Sequence, residues 1–180
     1  MNSSTEILEM YEGYYADGSV SEKRAIAARQ SVGHIRKITE GQTFNSVVDI
    51  GAGEGAVLSE LSNSAFAKQF AAVEISKSGL DAISNRRIKN LASVDQFDGY
   101  KIPHPGKAFD LALAIHVLEH VEHERMFLYE ARRVSRKLYI EVPFGADAEP
   151  RQVDPRIRPL WAYQLLHPRL FRKPAEDMRF

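Results

Sequence analysis

Short apolar runs alternate with segments of helical periodicity along most of the chain. Strands are predicted where apolar residues follow one another in a short run bounded by turn residues, and helices where they recur every three or four positions. The predicted strands are residues 46–50, 70–75, 88–94, 109–115 and 137–142. The predicted helices are residues 20–39, 56–61, a segment capped by Ser76, residues 122–134 and residues 160–166.

Strands and helices alternate in this way over about 100 residues. Alternation of this kind predicts parallel pairing with helices on both faces, because a parallel connection needs a crossover. Right-handed crossovers then give a doubly wound, mostly parallel α/β sheet. Such a sheet binds its ligand beyond the carboxyl ends of its strands.

Composition narrows the function classes. The chain has 180 residues, no cysteine and a formal net charge of zero. These values exclude disulfides and thiolate chemistry, and they do not favour a nucleic-acid partner. The first residues lack the pattern of a signal peptide, and no apolar run reaches the roughly 20 residues that span a bilayer. We therefore expect a cytoplasmic domain with no membrane contact.

A glycine-rich loop follows the first predicted strand. It contains Gly51, Ala52, Gly53 and Gly55, and the second strand ends in Glu74-Ile75. Glycines allow a ligand to approach bare backbone, and a carboxylate at the end of the second strand suits the ribose of an adenosine. The loop also satisfies the relaxed G-x-G-x-x-A pattern of dinucleotide binding. Loop and acid together leave nicotinamide dinucleotide and S-adenosylmethionine as alternatives.

Asp49 separates these alternatives. It stands two residues before the first glycine, where it would repel an anionic pyrophosphate and attract a cationic sulfonium or ammonium group. After the fourth strand the chain continues as His116-Val117-Leu118-Glu119-His120-Val121, a segment without an evident dehydrogenase role. Both features favour S-adenosylmethionine.

With these motifs the chain resembles the class I S-adenosylmethionine-dependent methyltransferases over about residues 44–145. The resemblance implies that the loop and Asp49 hold the cofactor, that Glu74 binds its ribose and that Ile75 packs on its adenine. It also implies that Asp98-Gly99 lies at the adenine, with Asp98 meeting the amino group, and that Glu141-Val142-Pro143 ends the fifth strand. The expected activity is methyl transfer to an oxygen or nitrogen of a small molecule.

The same resemblance divides the chain into a helical N-terminal cover (1–43), a cofactor-binding core (44–145) and a tail rich in proline and arginine (146–180). Tyrosines 11, 14 and 15 lie in the cover. The tail implies an incomplete or atypical C-terminal strand pair, which would expose a sheet edge and favour a homodimer. A cofactor-binding module without turnover is therefore a further alternative.

His116 is the candidate general base because it follows the fourth strand at the mouth of the expected site. It is also counted among the expected cofactor-binding residues. Its spacing to Glu119, His120 and His123 resembles a metal-ligand cluster, in particular that of the small-RNA 3′-terminal methyltransferases. The first ligand of that cluster is an acid, whereas here it is a histidine, so we predict no metal.

Overall fold

The computed structural model describes Tyr15, residues 21–142 and the backbone of residues 164–166. The helices are α1 (Ser21–Ile38), α2 (Ala56–Asn63), α3 (Lys77–Asn85) and α4 (Glu124–Val134), with a short 3-10 turn at Leu118–His120. The strands are β1 (Phe44–Ile50), β2 (Ala67–Glu74), β3 (Leu91–Gln96), β4 (Phe109–Ile115), β5 (Ser135–Glu141) and β6 (Gln164–Leu166).

The strands form one sheet in the order β3-β2-β1-β4-β5-β6. Strands β1 to β5 pair in parallel, whereas β6 pairs antiparallel with β5. The chain winds outward from β1 to β3 and then returns to the other side of β1 with β4. The switch point between β1 and β4 is where open α/β sheets bind ligands. The predicted doubly wound, mostly parallel α/β sheet is confirmed.

The core lies on both faces of this sheet because successive strand residues point to opposite sides. Val47, Leu111 and Leu113 belong to one buried cluster, and Val48 and Ala112 belong to the other. All five are fully buried. Burying a side chain such as valine or leucine contributes about 1.5–3 kcal/mol, so the apolar runs in the central strands fix their place in the sheet.

Two predicted strands shift along the chain. β3 begins at Leu91 instead of residue 88, because Ile88 packs under the glycine loop and Asn90 takes a positive φ of 58° before the strand. β5 begins at Ser135, directly after α4, where the Ser135 hydroxyl donates to the carbonyl of Ala131 at 2.7 Å. Local apolar content therefore located both strands without fixing their first residues.

The predicted helix at residues 160–166 is wrong where the structure describes it. Gln164–Leu166 is a strand that pairs with residues 138–140 of β5. A short apolar run fits either a helix or a strand, and the free N–H and C=O groups along β5 favour the strand. β6 covers residues 138–140 of β5, which belong to the sheet edge that we expected to be exposed. The remainder of the tail, Tyr11 and Tyr14 lie outside the described residues.

In the part of the chain that the structure describes, no helix combines the length and the apolar character that crossing a bilayer requires.

Candidate functional site

A cavity of about 690 Å³ opens at the carboxyl ends of β1, β2, β3 and β4. Six of the predicted site residues line it: Gly51, Glu74, Ile75, Asp98, Gly99 and His116. The other four, Asp49, Ala52, Gly53 and Gly55, lie behind this wall in β1 and the glycine loop. This cavity therefore lies at the topological switch point, as expected for a binding site in such a sheet.

The glycine loop is shaped by close contacts that a side chain would break. Gly51 has a φ of +74°, and a Cβ there would lie 2.6 Å from a methyl group of Val117. Gly53 has a φ of +56°, and a Cβ there would lie 2.9 Å from the Tyr15 hydroxyl. Gly55, the N-cap of α2, packs against Ile88. Gly51 therefore lines the cavity itself, Gly53 makes room for the cavity-lining Tyr15, and Gly55 serves the packing of the loop.

Glu74 ties the loop to the end of β2. The Gly53 N–H donates to one of its carboxylate oxygens at 2.9 Å, and the Ser76 N–H and hydroxyl donate to the other at 3.1 and 2.9 Å. Glu74 is only 4% exposed, yet it lines the cavity. A carboxylate offers about four acceptor positions, so roughly one remains for a ligand hydroxyl.

The loop amides are already used within the protein. The Gly51 and Ala52 N–H groups donate to the carbonyl of Val73, and the Gly55 N–H donates to the carbonyl of Ala52. With the Gly53 amide bound to Glu74, these groups do not form an anion-binding nest. A pyrophosphate would moreover face the buried carboxylates of Asp49 and Glu74. The geometry therefore disfavours a dinucleotide and suits a cationic or neutral ligand.

Asp49 is 3% exposed at the end of β1. Burial, and next the neighbouring charge of Glu74, raise the pKa of Asp49 to about 7. A nearby positive charge would oppose both effects and favour the ionised form. Asp49 is therefore expected to lose its proton when a cationic group binds near it.

Asp98 forms its own loop rather than projecting freely into the cavity. Its Oδ1 accepts the N–H groups of Lys101 and Tyr100 at 2.6 and 2.9 Å, and these two bonds hold the pKa of Asp98 below its usual value. Gly99 follows with a φ of +92° and open space around it. The contact of Asp98 with the adenine amino group stays a prediction. The other carboxylate oxygen of Asp98 is the atom expected to make it.

His116 ends β4 with a φ of 55°, an uncommon backbone conformation for a residue with a side chain. Its Nδ1 lies 3.7 Å from Glu119 Oε1 and its Nε2 lies 3.6 Å from Glu141 Oε1. Glu119 most, and then Glu141, raise the pKa of His116 to about 9. The ring therefore carries a proton at neutral pH, which argues against the predicted role as general base there.

Glu141 is buried at the end of β5 and joins several elements. It accepts hydrogen bonds from the Ser31 hydroxyl of α1 at 2.8 Å and from the Tyr139 hydroxyl at 2.7 Å. Burial disfavours its charge, but His116 and the two hydroxyls outweigh burial and lower the pKa of Glu141. The sequence placed Glu141 at the end of β5 without indicating these contacts, because its partners lie as far as 110 positions away.

Comparison with known proteins agrees with this geometry. Residues 48–138, half of the chain, match the model of a family described as "Methyltransferase domain". The chain belongs to this methyltransferase family. No curated protein sequence matches it.

Solved structures share the fold of this methyltransferase domain. They include a SAM-dependent methyltransferase from Aquifex aeolicus (21% identity, 69% of this chain and 71% of that one, TM-score 0.56). The YcgJ protein from Bacillus subtilis matches at 22% identity, 62% of this chain, 50% of that chain and a TM-score of 0.55. The methyltransferase domain thus spans about half the length of that protein.

The same fold also carries other chemistry. The [4+2]-cyclase SpnF matches at 20% identity, with 63% of this chain, 44% of that chain and a TM-score of 0.54. Fold alone therefore does not establish which reaction a member catalyses, because the reaction depends on the residues of the site.

The glycine loop of the methyltransferase domain is held by a partly buried ion-pair network around Glu54. Glu54 is 8% exposed, and its carboxylate oxygens lie 3.1 Å from Arg24 of α1 and 2.9 Å from Arg86. The Arg86 Nε–H also donates to the Glu54 carbonyl at 2.7 Å. Arg24 lies over the ring of Tyr15, 5.0 Å from its centroid. This network places Tyr15, which lines the cavity, against the loop.

Several residues of the site were not singled out from the sequence. Glu54 and Gly79 lie outside the predicted set, although Gly79 approaches so closely that a Cβ would lie 2.7 Å from Glu74 Cγ. A glycine in the first turn of the helix that follows Glu74 was the available signal. Among the described residues, no group of three or more His, Cys, Asp or Glu is arranged to hold a metal ion.

Proposed function

We propose that this domain binds S-adenosylmethionine in the cavity beyond β1, β2 and β4 and transfers its methyl group to an oxygen or nitrogen of a small molecule. The observation that carries the proposal is the pairing of a glycine loop with two buried carboxylates, Asp49 and Glu74, and with loop amides that are bonded internally. This combination favours an adenosine cofactor with a positive charge over a pyrophosphate.

The protein's part in the reaction is mainly alignment. Bound S-adenosylmethionine would supply an electrophilic methyl group, with the sulfur departing in line as a neutral thioether. Glu74 would orient the ribose, Ile75 and Gly99 would border the adenine, and Asp49 would stabilise the cationic end. Holding donor and acceptor in line accounts for much of such a rate enhancement, so a strong base is not required.

Calorimetry with three ligands tests the proposal. We expect S-adenosylmethionine and S-adenosylhomocysteine to bind and NAD not to bind, because a pyrophosphate would lie against Asp49 and Glu74. Binding of NAD alone would contradict the proposal. Transfer of a deuterated methyl group to a metabolite mixture, followed by mass spectrometry, then separates an enzyme from a binding module without turnover. A labelled acceptor of small mass is the expected result.

The binding of S-adenosylmethionine should depend on pH through Asp49. The pKa of Asp49 is raised to about 7 in the free protein, and a bound cation favours the ionised form. Affinity should therefore rise with pH, by about eightfold between pH 6 and pH 7.5, and level off above that range. Calorimetry across this range measures the effect. The Asp49→Asn variant should bind with little pH dependence, and a slope equal to that of the unaltered protein would exclude Asp49 as its source.

For assembly and location we propose a cytoplasmic enzyme with a small-molecule partner and a homodimer formed through a sheet edge. In the described sheet β3 is a terminal strand, and most of its side chains are partly exposed. A terminal strand offers unpaired backbone groups to a second copy. Light scattering coupled to gel filtration checks this, with twice the chain mass of 20.3 kDa expected.

A further inference from the structure

We propose that Glu141 is a positioning residue that fixes the orientation and the charge of His116 at the cavity wall and joins that wall to α1. Glu141 does not line the cavity, whereas His116 does. The proposal concerns the free protein, and it rests on the proposed function only for its consequence in turnover.

The carboxylate of Glu141 is held from two sides. The Ser31 hydroxyl donates to Oε1 and the Tyr139 hydroxyl donates to Oε2, and the side chain is 7% exposed. The backbone N–H of His116 also donates to the backbone carbonyl of Glu141 at 2.8 Å. A buried carboxylate with two fixed donors keeps its position and its charge, so it presents a stationary negative group to the His116 ring.

The other charged groups around His116 come from two elements. Glu119, in the 3-10 turn, lies on the Nδ1 side, and its own neighbour His120 lies 4.0 Å away. From α1, His34 lies 3.9 Å from Glu141 Oε2. The Glu119 side chain is 23% exposed against 7% for Glu141, so Glu119 has more freedom to move. Glu141 is therefore the fixed half of the pair of carboxylates that surrounds His116.

This arrangement has a consequence for the acceptor side of the site. Because both ring nitrogens of His116 face carboxylates, His116 presents a held imidazolium to the cavity rather than a proton acceptor. In the proposed reaction His116 then adds positive charge to the cavity wall and does not take the proton of the acceptor, which passes to solvent water. Changing Glu141 should alter His116 without removing any cavity-lining side chain.

The test is an NMR titration of the histidine ring protons in the full chain without ligand. His116→Asn identifies the resonance of His116 by its loss. The midpoint in the unaltered protein should lie near 9, and Glu141→Gln should lower it by about one pH unit or more. Glu122→Gln is the matched control, because Glu122 lines the same cavity and is not among the groups that raise the pKa of His116. In this variant the His116 midpoint should agree with that of the unaltered protein. An unchanged midpoint in Glu141→Gln would overturn the proposal.

A second measurement needs no variant and so stands even if Glu141→Gln does not fold. In the unaltered protein the ¹³C signal of the Glu141 carboxylate should show an inflection at the His116 midpoint, since the two groups lie 3.6 Å apart. A carboxylate signal that stays flat through that pH would also overturn the proposal. Because neither titration uses cofactor, failure here is distinguishable from failure of S-adenosylmethionine to bind in calorimetry.

Discussion

The Gly53→Val variant should bind S-adenosylmethionine at least about 100-fold more weakly, a loss of about 2.7 kcal/mol. Gly53 has a φ of +56°, a conformation that β-branched residues very rarely adopt. A Cβ at this position would also lie 2.9 Å from the Tyr15 hydroxyl. The loop would have to move, and the bond from the Gly53 amide to Glu74 would break with it. Isothermal calorimetry measures the loss.

Gly41→Val is the matched control for backbone strain. Gly41 has a φ of +73°, but no atom lies within 4 Å of a Cβ built there, and the residue is outside the cavity. Both variants should therefore show a lower melting temperature, whereas only Gly53→Val should lose affinity. Normal binding by a folded Gly53→Val protein would show that the loop is not the cofactor site.

The sheet and the loop were predictable because their causes are local. A short apolar run such as Val47-Val48 that ends in a glycine turn favours a buried strand, and the three glycines after it predict a turn that a ligand approaches. The structure confirms the strand and places the loop beneath the cavity wall. The loop and Glu74, two separate features of the sequence, are joined by a direct hydrogen bond from the Gly53 N–H to Glu74.

The contacts that control charge were not predictable, because they join residues far apart in the chain. Glu54 pairs with Arg24 and Arg86, 30 and 32 positions away, and neither pairing leaves a periodic signal. The position of His116 after β4 predicted a role as general base. Only the positions of Glu119 and Glu141 around its ring show that it holds a proton at neutral pH.

Gln164–Leu166 illustrates the same limit for secondary structure. Its apolar residues fit a helix as well as a strand, and the outcome depends on the partner that β5 offers. Long-range pairing of this kind lies beyond any local pattern. The predicted atypical closure of the sheet is nevertheless consistent with a three-residue antiparallel strand at that edge.

The Glu74→Ala variant should lose about 100-fold or more in affinity for S-adenosylmethionine, and it should also be less stable. The substitution removes the proposed acceptor for the ribose and leaves the Gly53 and Ser76 amides without their partner. An unsatisfied buried donor destabilises a protein by about 1–3 kcal/mol. Calorimetry and thermal unfolding separate the loss of affinity from the loss of stability.

Two further variants divide the Glu74 effect into its parts. Ser76→Ala removes one donor to Glu74 and keeps the carboxylate, so most of the affinity should remain. Glu40→Ala, an exposed carboxylate after α1, is the matched control and should change neither affinity nor stability.

Glu74→Ala should also lower the pKa of Asp49, because the charge of Glu74 is the second cause that raises it after burial. The pH at which affinity levels off would then fall in this variant, and a curve with an unchanged midpoint would mean that the charge of Glu74 does not raise the pKa of Asp49.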